Sequence, residues 1–414
     1  MKTKKYFTLF AIIMASSTIY ELPYISYNYY DILLEATGIT NTQMGVLMSI
    51  FGFISMIGYF PGGYLADKFS AKKLISLSLL GIGLSGFYLA TFPSYTGMLT
   101  IYILYGLLTA VTFWSAMLKG VRLLGSSDEQ GRLFGLRESG TGLMPIIYGM
   151  AILAIFNSTG ATLVSFRYVI IGYSVLTLIG ALLAWFGIPE NNTESDEKDE
   201  NDTVHLRDLK TVIKMPNLWL LSIVIFSTIS VYDSYSYITP YLTEFFGLSV
   251  SGAALFGLIR IYGVALVAGI LSGYIADKIG SRLKLILIIS ILPVIFYASF
   301  LFIPPDATYL GLFVVFMLGL GMSFFMIRGV YFAAIDELEI PIRYSGTAMG
   351  FASFLGFIPE AYIYTLIGNW MDNYPGIVGY QKVFTYMICV TAVGFVASVI
   401  LYRNVKKMKA GNVN

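Results

Sequence analysis

Gly63-Tyr64-Leu65-Ala66-Asp67-Lys68 returns about 210 residues later as Gly273-Tyr274-Ile275-Ala276-Asp277-Lys278. Nearly the same shift lays Met117-Leu118-Lys119-Gly120-Val121 on Met326-Ile327-Arg328-Gly329-Val330, and Arg132 and Gly135 on Arg343 and Gly346. Three separated matches at close to one offset mark an internal duplication, so whatever fold one half adopts the other is expected to repeat.

The composition says what kind of fold that is. Of 414 residues, 57% are hydrophobic and only 12% charged, with mean hydropathy +0.75. A soluble domain carries roughly a quarter charged residues. So much apolar surface is tolerated by lipid and not by water, and a span needs about 20 apolar residues. Apolar runs punctuated by Gly, Pro and charge predict twelve membrane spans, near 6–30, 41–66, 73–92, 97–122, 132–157 and 163–188, then 217–244, 249–276, 283–303, 308–335, 343–370 and 376–402. Lys2-Thr3-Lys4-Lys5 and the apolar run after it have the look of a signal peptide. The run continues through Pro23 and Tyr24 toward Tyr30, however, and is read as a first span. The expected class is an all-α membrane protein of two pseudo-symmetric six-helix bundles, 1–188 and 217–414.

Between the bundles, 189–216 holds Glu190, Glu194, Asp196, Glu197, Asp199, Glu200, Asp202 and Asp208. Such a segment is a solvated tether rather than a span. Its last part, with Leu206, Leu209, Val212 and Ile213 at helical spacing, is expected to lie along the membrane surface. Placing the N-terminus inside leaves only Arg167 and Lys382 in predicted outer loops. Arg260, Lys119 and Arg328 then fall within spans, and the other Lys and Arg residues gather at inner ends, loops and tails. That bias predicts both termini on the cytoplasmic side of a bacterial-type inner (plasma) membrane. The single cysteine, Cys389, excludes an intrachain disulfide and is expected in the core; the single histidine, His205, sits in the linker and leaves the spans without an imidazole. No metal site, cofactor, nucleic-acid contact or nucleotide-binding loop is expected, and the protein is read as a monomer.

Gly63-(x)3-Asp67-Lys68-(x)3-Lys72-Lys73 resembles the signature loop between spans two and three of the major facilitator superfamily. Gly273-(x)3-Asp277-Lys278-Ile279-Gly280-Ser281-Arg282 resembles its second-half copy, and Ser70 stands in the first copy where a glycine is usual. The resemblance covers essentially the whole chain. It implies a solute site near the midplane between the bundles, lined by spans one, four, seven and ten. It also implies a latch in which Asp67 meets the start of span eleven at Arg343, Ser345 and Gly346. Asp277 would meet Gly131, Arg132 and Gly135 in the same way, with Gly63, Gly273, Lys68 and Lys278 completing the loops. For Lys72 and Lys73 an ordinary positive-inside role stands beside the latch. The segments 113–120 and 131–138 are similar to a group of bacterial permeases of the YihN type, often grouped with organic-anion and sugar-derivative transporters. Gly140, Gly142 and Pro145 resemble only part of the motif of drug antiporters.

Ionisable groups within spans are costly and mark function or pairing. Lys119 and Arg328 occupy equivalent places in the two halves, which suits a clamp on an anion. The alternatives are that Lys119 snorkels to the interface and that Arg328 pairs with Asp336 or Glu337. Arg260 either contacts the anion or is neutralised by Asp233 or Glu360. Glu21, Asp233 and Glu360 are the candidates for the coupling ion, since a carboxylate enclosed away from water can take up and release a proton as access alternates. Sodium or a cationic solute would use the same groups. Tyr24, Tyr27, Tyr232, Tyr235 and Tyr237 flank the first two acids, and Tyr24, Tyr27 and Tyr237 are assigned to the solute. The expected function is rocker-switch transport of a small organic anion with protons. Proton-driven export of drugs or amphiphiles is the alternative. A membrane enzyme is disfavoured because no His/Asp, Cys or metal constellation lies in the spans.

Overall fold

The structure is a computed structural model that describes residues 2–125, 127–190, 211–340 and 342–411. Side chains at 2–3, 60, 67, 127–128, 130–132, 342–343, 345–346 and 411 also lie outside the described set. The linker reading at 191–210 and His205 therefore fall outside it. So do the latch side chains of Asp67, Gly131, Arg132, Arg343, Ser345 and Gly346.

Among the described residues the regular structure is helical throughout, and ten helices are long and apolar enough to cross a bilayer. In chain order they are Asn41–Lys68 (span 2), Ala71–Leu89 (span 3), Tyr95–Arg122 (span 4), Ser127–Ser158 (span 5) and Leu163–Gly187 (span 6). Then follow Pro216–Tyr235 (span 7), Val250–Ile279 (span 8), Arg282–Phe300 (span 9), Ala307–Val330 (span 10) and Ile377–Gly411 (span 12). The two remaining predicted spans are broken. Span 1 is Lys2–Thr18 and Ser26–Thr37 with turns between, and span 11 is Ile342–Gly356 and Ile363–Asn373 joined by a 3-10 turn at Ile358–Ala361. Side chains such as Phe186 and Phe302 are 78% and 83% exposed, which only lipid makes tolerable over so many spans. Cys389 is exposed as well, not in the core as its apolar setting suggested. An apolar run does not tell the outer face of a membrane helix from its inner one.

Short polar residues set the helix starts. Thr40 and Gln43 form a reciprocal capping box at span 2, and Thr162, Ser249 and Ser281 accept a backbone N–H at spans 6, 8 and 9. Pro216 opens span 7 at a position where its missing N–H is harmless. Gly280 ends span 8 at φ +73, a left-handed turn that favours glycine. Its counterpart Ser70 has φ −63, so the first motif loop has no need of the usual glycine there.

The chain divides into two compact units, 1–196 with 239–263 and 197–238 with 264–414. In the first, span 1 packs on spans 5 and 6, span 3 on span 6, and span 2 on span 4. A π-helical stretch, Leu107–Trp114, interrupts span 4. It nests against glycines of span 2: a Cβ at Gly62 would lie 2.6 Å from the carbonyl oxygen of Ala110, and one at Gly58 2.9 Å from Val111. In the second unit span 7 packs on span 12, and the latter half of span 8 on span 10.

Candidate functional site

Breaking a helix within the membrane leaves backbone groups that side chains must satisfy, and charged groups collect where that happens. All three candidate carboxylates sit at such places. Glu21 lies in the turns between the halves of span 1, Glu360 in the 3-10 turn of span 11, and Asp233 in the last turn of Pro216–Tyr235, just before Ser236 and Tyr237 separate it from the rest of span 7, Ile238–Phe246.

In the first unit Glu21 is 4% exposed. Its Oε1 accepts from the Tyr262 hydroxyl at 2.7 Å and lies 3.1 Å from that of Tyr148, which is also 2.6 Å from the Ser17 carbonyl oxygen. Tyr148 comes from span 5, and Tyr262 from a π-helical stretch of span 8, Ile259–Gly263. A π-turn admits one extra residue and re-aims the side chains after it, a device common at functional sites. Arg260 shares that stretch and is 1% exposed. Its guanidinium donates to the Tyr27 carbonyl at 3.1 Å and to the Thr239 hydroxyl at 2.9 Å, while Thr239 donates to the same carbonyl at 2.7 Å. Two residues on, Tyr29 has non-helical angles (φ −128, ψ 42), so Arg260 and Thr239 support a kinked stretch of span 1. Tyr27 is buried, and Tyr24 packs among Tyr20, Tyr27 and Phe51.

In the second unit Asp233 is fully buried. Its Oδ1 accepts from the Tyr364 hydroxyl at 2.7 Å, and Oδ2 has no hydrogen-bond partner. Tyr237, also buried, donates to the Tyr364 carbonyl at 3.0 Å and steadies that tyrosine. Arg328 is exposed, with its guanidinium 4.7 Å from the centre of the Tyr232 ring, a cation–π contact. Its charge acts on both Asp233 and Glu360, and Asp233 and Glu360 act on each other. The second unit thus gathers two carboxylates and one guanidinium among phenols.

The other sequence candidates lie elsewhere. Lys119 donates from Nζ to the Ala66 carbonyl at 2.8 Å, tying span 4 to the end of span 2 beside the motif loop. Lys73 pairs with Glu190 at 2.5 Å, and Lys72 stands 4.8 Å over the Trp185 ring, so both motif lysines hold the end of span 6. Lys68 is exposed, as are Asp277 and Lys278. Apart from the helix's own backbone, no described atom lies within 4 Å of a Cβ built on Gly63, Gly273 or Gly135. Glu337 closes the second motif loop: its carboxylate accepts from Ser281 at 2.7 Å and from the backbone N–H of Arg282 at 2.5 Å. It satisfies a helix start where a negative charge is favoured. Among the described residues no cluster of three or more metal-ligating side chains occurs.

Sequence reasoning missed Tyr148, Tyr262, Tyr364 and Thr239. With 31 tyrosines in the chain, composition could not single them out. A usable signal was the pairing of an acid with a nearby proline inside an apolar run, Glu21 with Pro23 and Glu360 with Pro359, which marks a broken helix.

A polytopic helical chain with charges buried at helix breaks is the architecture of a solute carrier. Residues 6–363 match the family model of the Major Facilitator Superfamily, and the chain belongs to that family. It is a multi-pass membrane transporter rather than an enzyme. The chain is 32% identical to the inner membrane protein YihN of Escherichia coli (strain K12) over 99% of its own length and 98% of the relative's. It is 30% identical to the inner membrane protein YqcE of the same organism, over 97% and 96%. The crystal structure of a bacterial homologue of the human lysosomal transporter Spinster superposes with TM-score 0.74 at 13% identity, covering 98% of each chain.

Proposed function

We propose that the protein is a secondary transporter carrying a small anionic organic solute together with protons across the inner membrane, by rocker-switch alternating access, with both termini cytoplasmic. The observation that carries this reading is the exposed Arg328 set against Asp233 and Glu360 at the breaks of spans 7 and 11. A guanidinium binds carboxylate, phosphate or sulfonate in bidentate fashion. When the solute takes Arg328, the carboxylates lose part of their counter-charge in a low-dielectric setting and a proton replaces it. Release of the solute returns Arg328 to the acids and expels the proton, so the two movements are linked in one direction. Arg328 is the cation assigned to the solute. Lys119 and Arg260 are assigned holding roles, on the carbonyls of Ala66 and Tyr27. The likeness to two inner membrane proteins supports an inner-membrane location.

The test begins with a thermal-shift screen of organic acids, sugar phosphates and sulfonates, with cationic drugs as the competing class. An anion that stabilises the protein is then added to proteoliposomes loaded with a pH-sensitive dye. Uptake should acidify the lumen, and Arg328→Gln should abolish the signal. Stabilisation by cationic drugs alone, or anion uptake that moves no protons, overturns the reading.

A further inference from the structure

One buried cation of the first unit has no part in the cycle above. By sequence Arg137 counts among the basic residues at inner span ends, yet on span 5 it is only 8% exposed. Its guanidinium carbon stands 5.8 Å from the centre of the Trp114 ring, a cation–π contact. Trp114 closes the π-helical stretch of span 4, Leu107–Trp114, a type of turn that re-aims side chains and is common at functional sites. Tyr59 of span 2 meets the same indole edge-on, with ring centres 6.2 Å apart. Spans 2, 4 and 5 of the first unit thus contribute to one guanidinium and its aromatic cover.

A buried guanidinium is costly unless its charge and its N–H groups are met. Those of Arg137 are met only in part. Nη1 is paired with the Glu138 carboxylate, whereas Nε is buried and has no hydrogen-bond partner among the described residues. Glu138 is also a weak partner. It is the next residue along the helix, where consecutive side chains do not face each other, and its side chain is 75% exposed. A carboxylate so open to water gains little from pairing. Packing against Trp114 alone would explain the cation–π contact and leave the buried Nε without an account. Glu138 takes Nη1 and leaves the edge formed by Nε and Nη2. That edge of a guanidinium donates to two oxygens of one carboxylate, phosphate or sulfonate at once.

We infer that Arg137, set against Trp114, is an oxyanion-binding site of the first unit, taking a carboxylate, phosphate or sulfonate group on its Nε–Nη2 edge. For its place in transport the site rests on the anionic-solute reading, to which it adds a contact on span 5 separate from Arg328. Glu138 is the counter-charge of the arginine in the absence of solute. The arriving oxyanion takes over that task and leaves the exposed carboxylate to water, so the charge on Glu138 opposes binding.

The experiment is fluorine NMR of the full-length protein in neutral-lipid nanodiscs, with 5-fluorotryptophan at its four tryptophans. Trp114→Phe assigns the resonance of interest. Methanesulfonate is the probe, and chloride at the same ionic strength is the control. In wild type the Trp114 resonance should move saturably with methanesulfonate and not with chloride. Arg137→Gln should abolish the movement, and Arg137→Lys, which keeps the charge but not the two-pronged edge, should weaken binding by about tenfold or more. The other three resonances report that each variant is folded. Glu138→Gln alters an exposed side chain and should tighten binding severalfold, an effect that a packing role for Arg137 would not produce. A Trp114 resonance that ignores methanesulfonate, follows chloride equally, or still moves in Arg137→Gln overturns the inference. Unchanged or weaker binding in Glu138→Gln overturns the exchange of partners. Anion uptake that moves no protons would sink the transport reading and leave a positive result here standing.

Discussion

Two adjacent glycines in span 2 should respond in opposite ways to the same added methyl group. At Gly62 the new Cβ would stand 2.6 Å from the Ala110 carbonyl oxygen, 3.1 Å from that of Val111 and 3.3 Å from the Val111 Cα. These are backbone atoms of the π-helical stretch in span 4, and no rotamer change can move them aside. At Gly63, the motif glycine, the same atom meets no described atom within 4 Å apart from its own helix backbone. Replacing glycine by alanine inside a helix gains about 0.8–1 kcal/mol from backbone entropy. That gain is shared by both variants and cancels in their comparison, which isolates the overpacking cost of about 1–3 kcal/mol. For units of roughly 200 residues, 1 kcal/mol moves the melting temperature by roughly 2–4 °C. Gly62→Ala should therefore melt roughly 2–12 °C below Gly63→Ala, with Gly63→Ala at or above wild type. Thermal unfolding of the three proteins in one detergent, followed by circular dichroism, reads this directly. Variants that melt within about 1 °C of each other would refute the close approach of spans 2 and 4.

The two copies of the motif loop should differ in their demand for glycine. Gly280→Ala forces a side chain into the left-handed region at φ +73 and should cost on the order of 1–2 kcal/mol, seen as a lower melting temperature, whereas Ser70→Gly should cost well under half of that. Equal losses would show that φ is not what separates them. The Lys73–Glu190 pair should titrate. The Lys73 hydrogen bond, then its charge, holds the Glu190 carboxyl below the usual range, so the tie is complete above the ordinary carboxylate value and fades as pH falls through the depressed one. Carboxyl-carbon NMR of Glu190 should show a low midpoint that Lys73→Gln returns to the ordinary range. An unmoved midpoint would assign the shift to something other than Lys73.

What the sequence made legible was whatever composition and repetition record. Long apolar runs marked every span, and the copy of Gly63–Lys68 at Gly273–Lys278 marked the duplication and the family. The helix breaks went unread, because apolar residues run through them (Leu22 and Ile25 in span 1, Phe357 and Ile358 in span 11) and only the acid–proline pairs at 21/23 and 359/360 mark them. Backbone geometry there is fixed by local proline together with side chains arriving from distant spans, and no local window contains the latter. The buried acids were found from their charge alone, since charge in an apolar run is rare. Their phenolic partners escaped notice since tyrosine is common here and each one lies far along the chain: Tyr148 is 127 residues from Glu21, Tyr262 is 241, and Tyr364 is 131 from Asp233. Arg260 was read as a ligand group or a fixed ion pair, and its bond to the Tyr27 carbonyl adds a third occupation that only the kink at Tyr29 explains.

That bond also places a timetable on how the protein is made. The donors that meet the Tyr27 carbonyl, Thr239 and Arg260, lie 212 and 233 residues downstream of it. At a synthesis rate of about 5–20 residues per second, the first span waits roughly 10–50 s in the membrane before either donor leaves the ribosome. During that interval neither Thr239 nor Arg260 is present to hold the kink. The amino-terminal segment must therefore enter the bilayer straight, or with water or the insertion machinery occupying the carbonyl. It takes its final bend only when the chain's second half returns to it. Nascent chains halted before Thr239 should accordingly carry a first span unlike that of the finished protein, and the earliest segment to be synthesised would be among the last to reach its mature form.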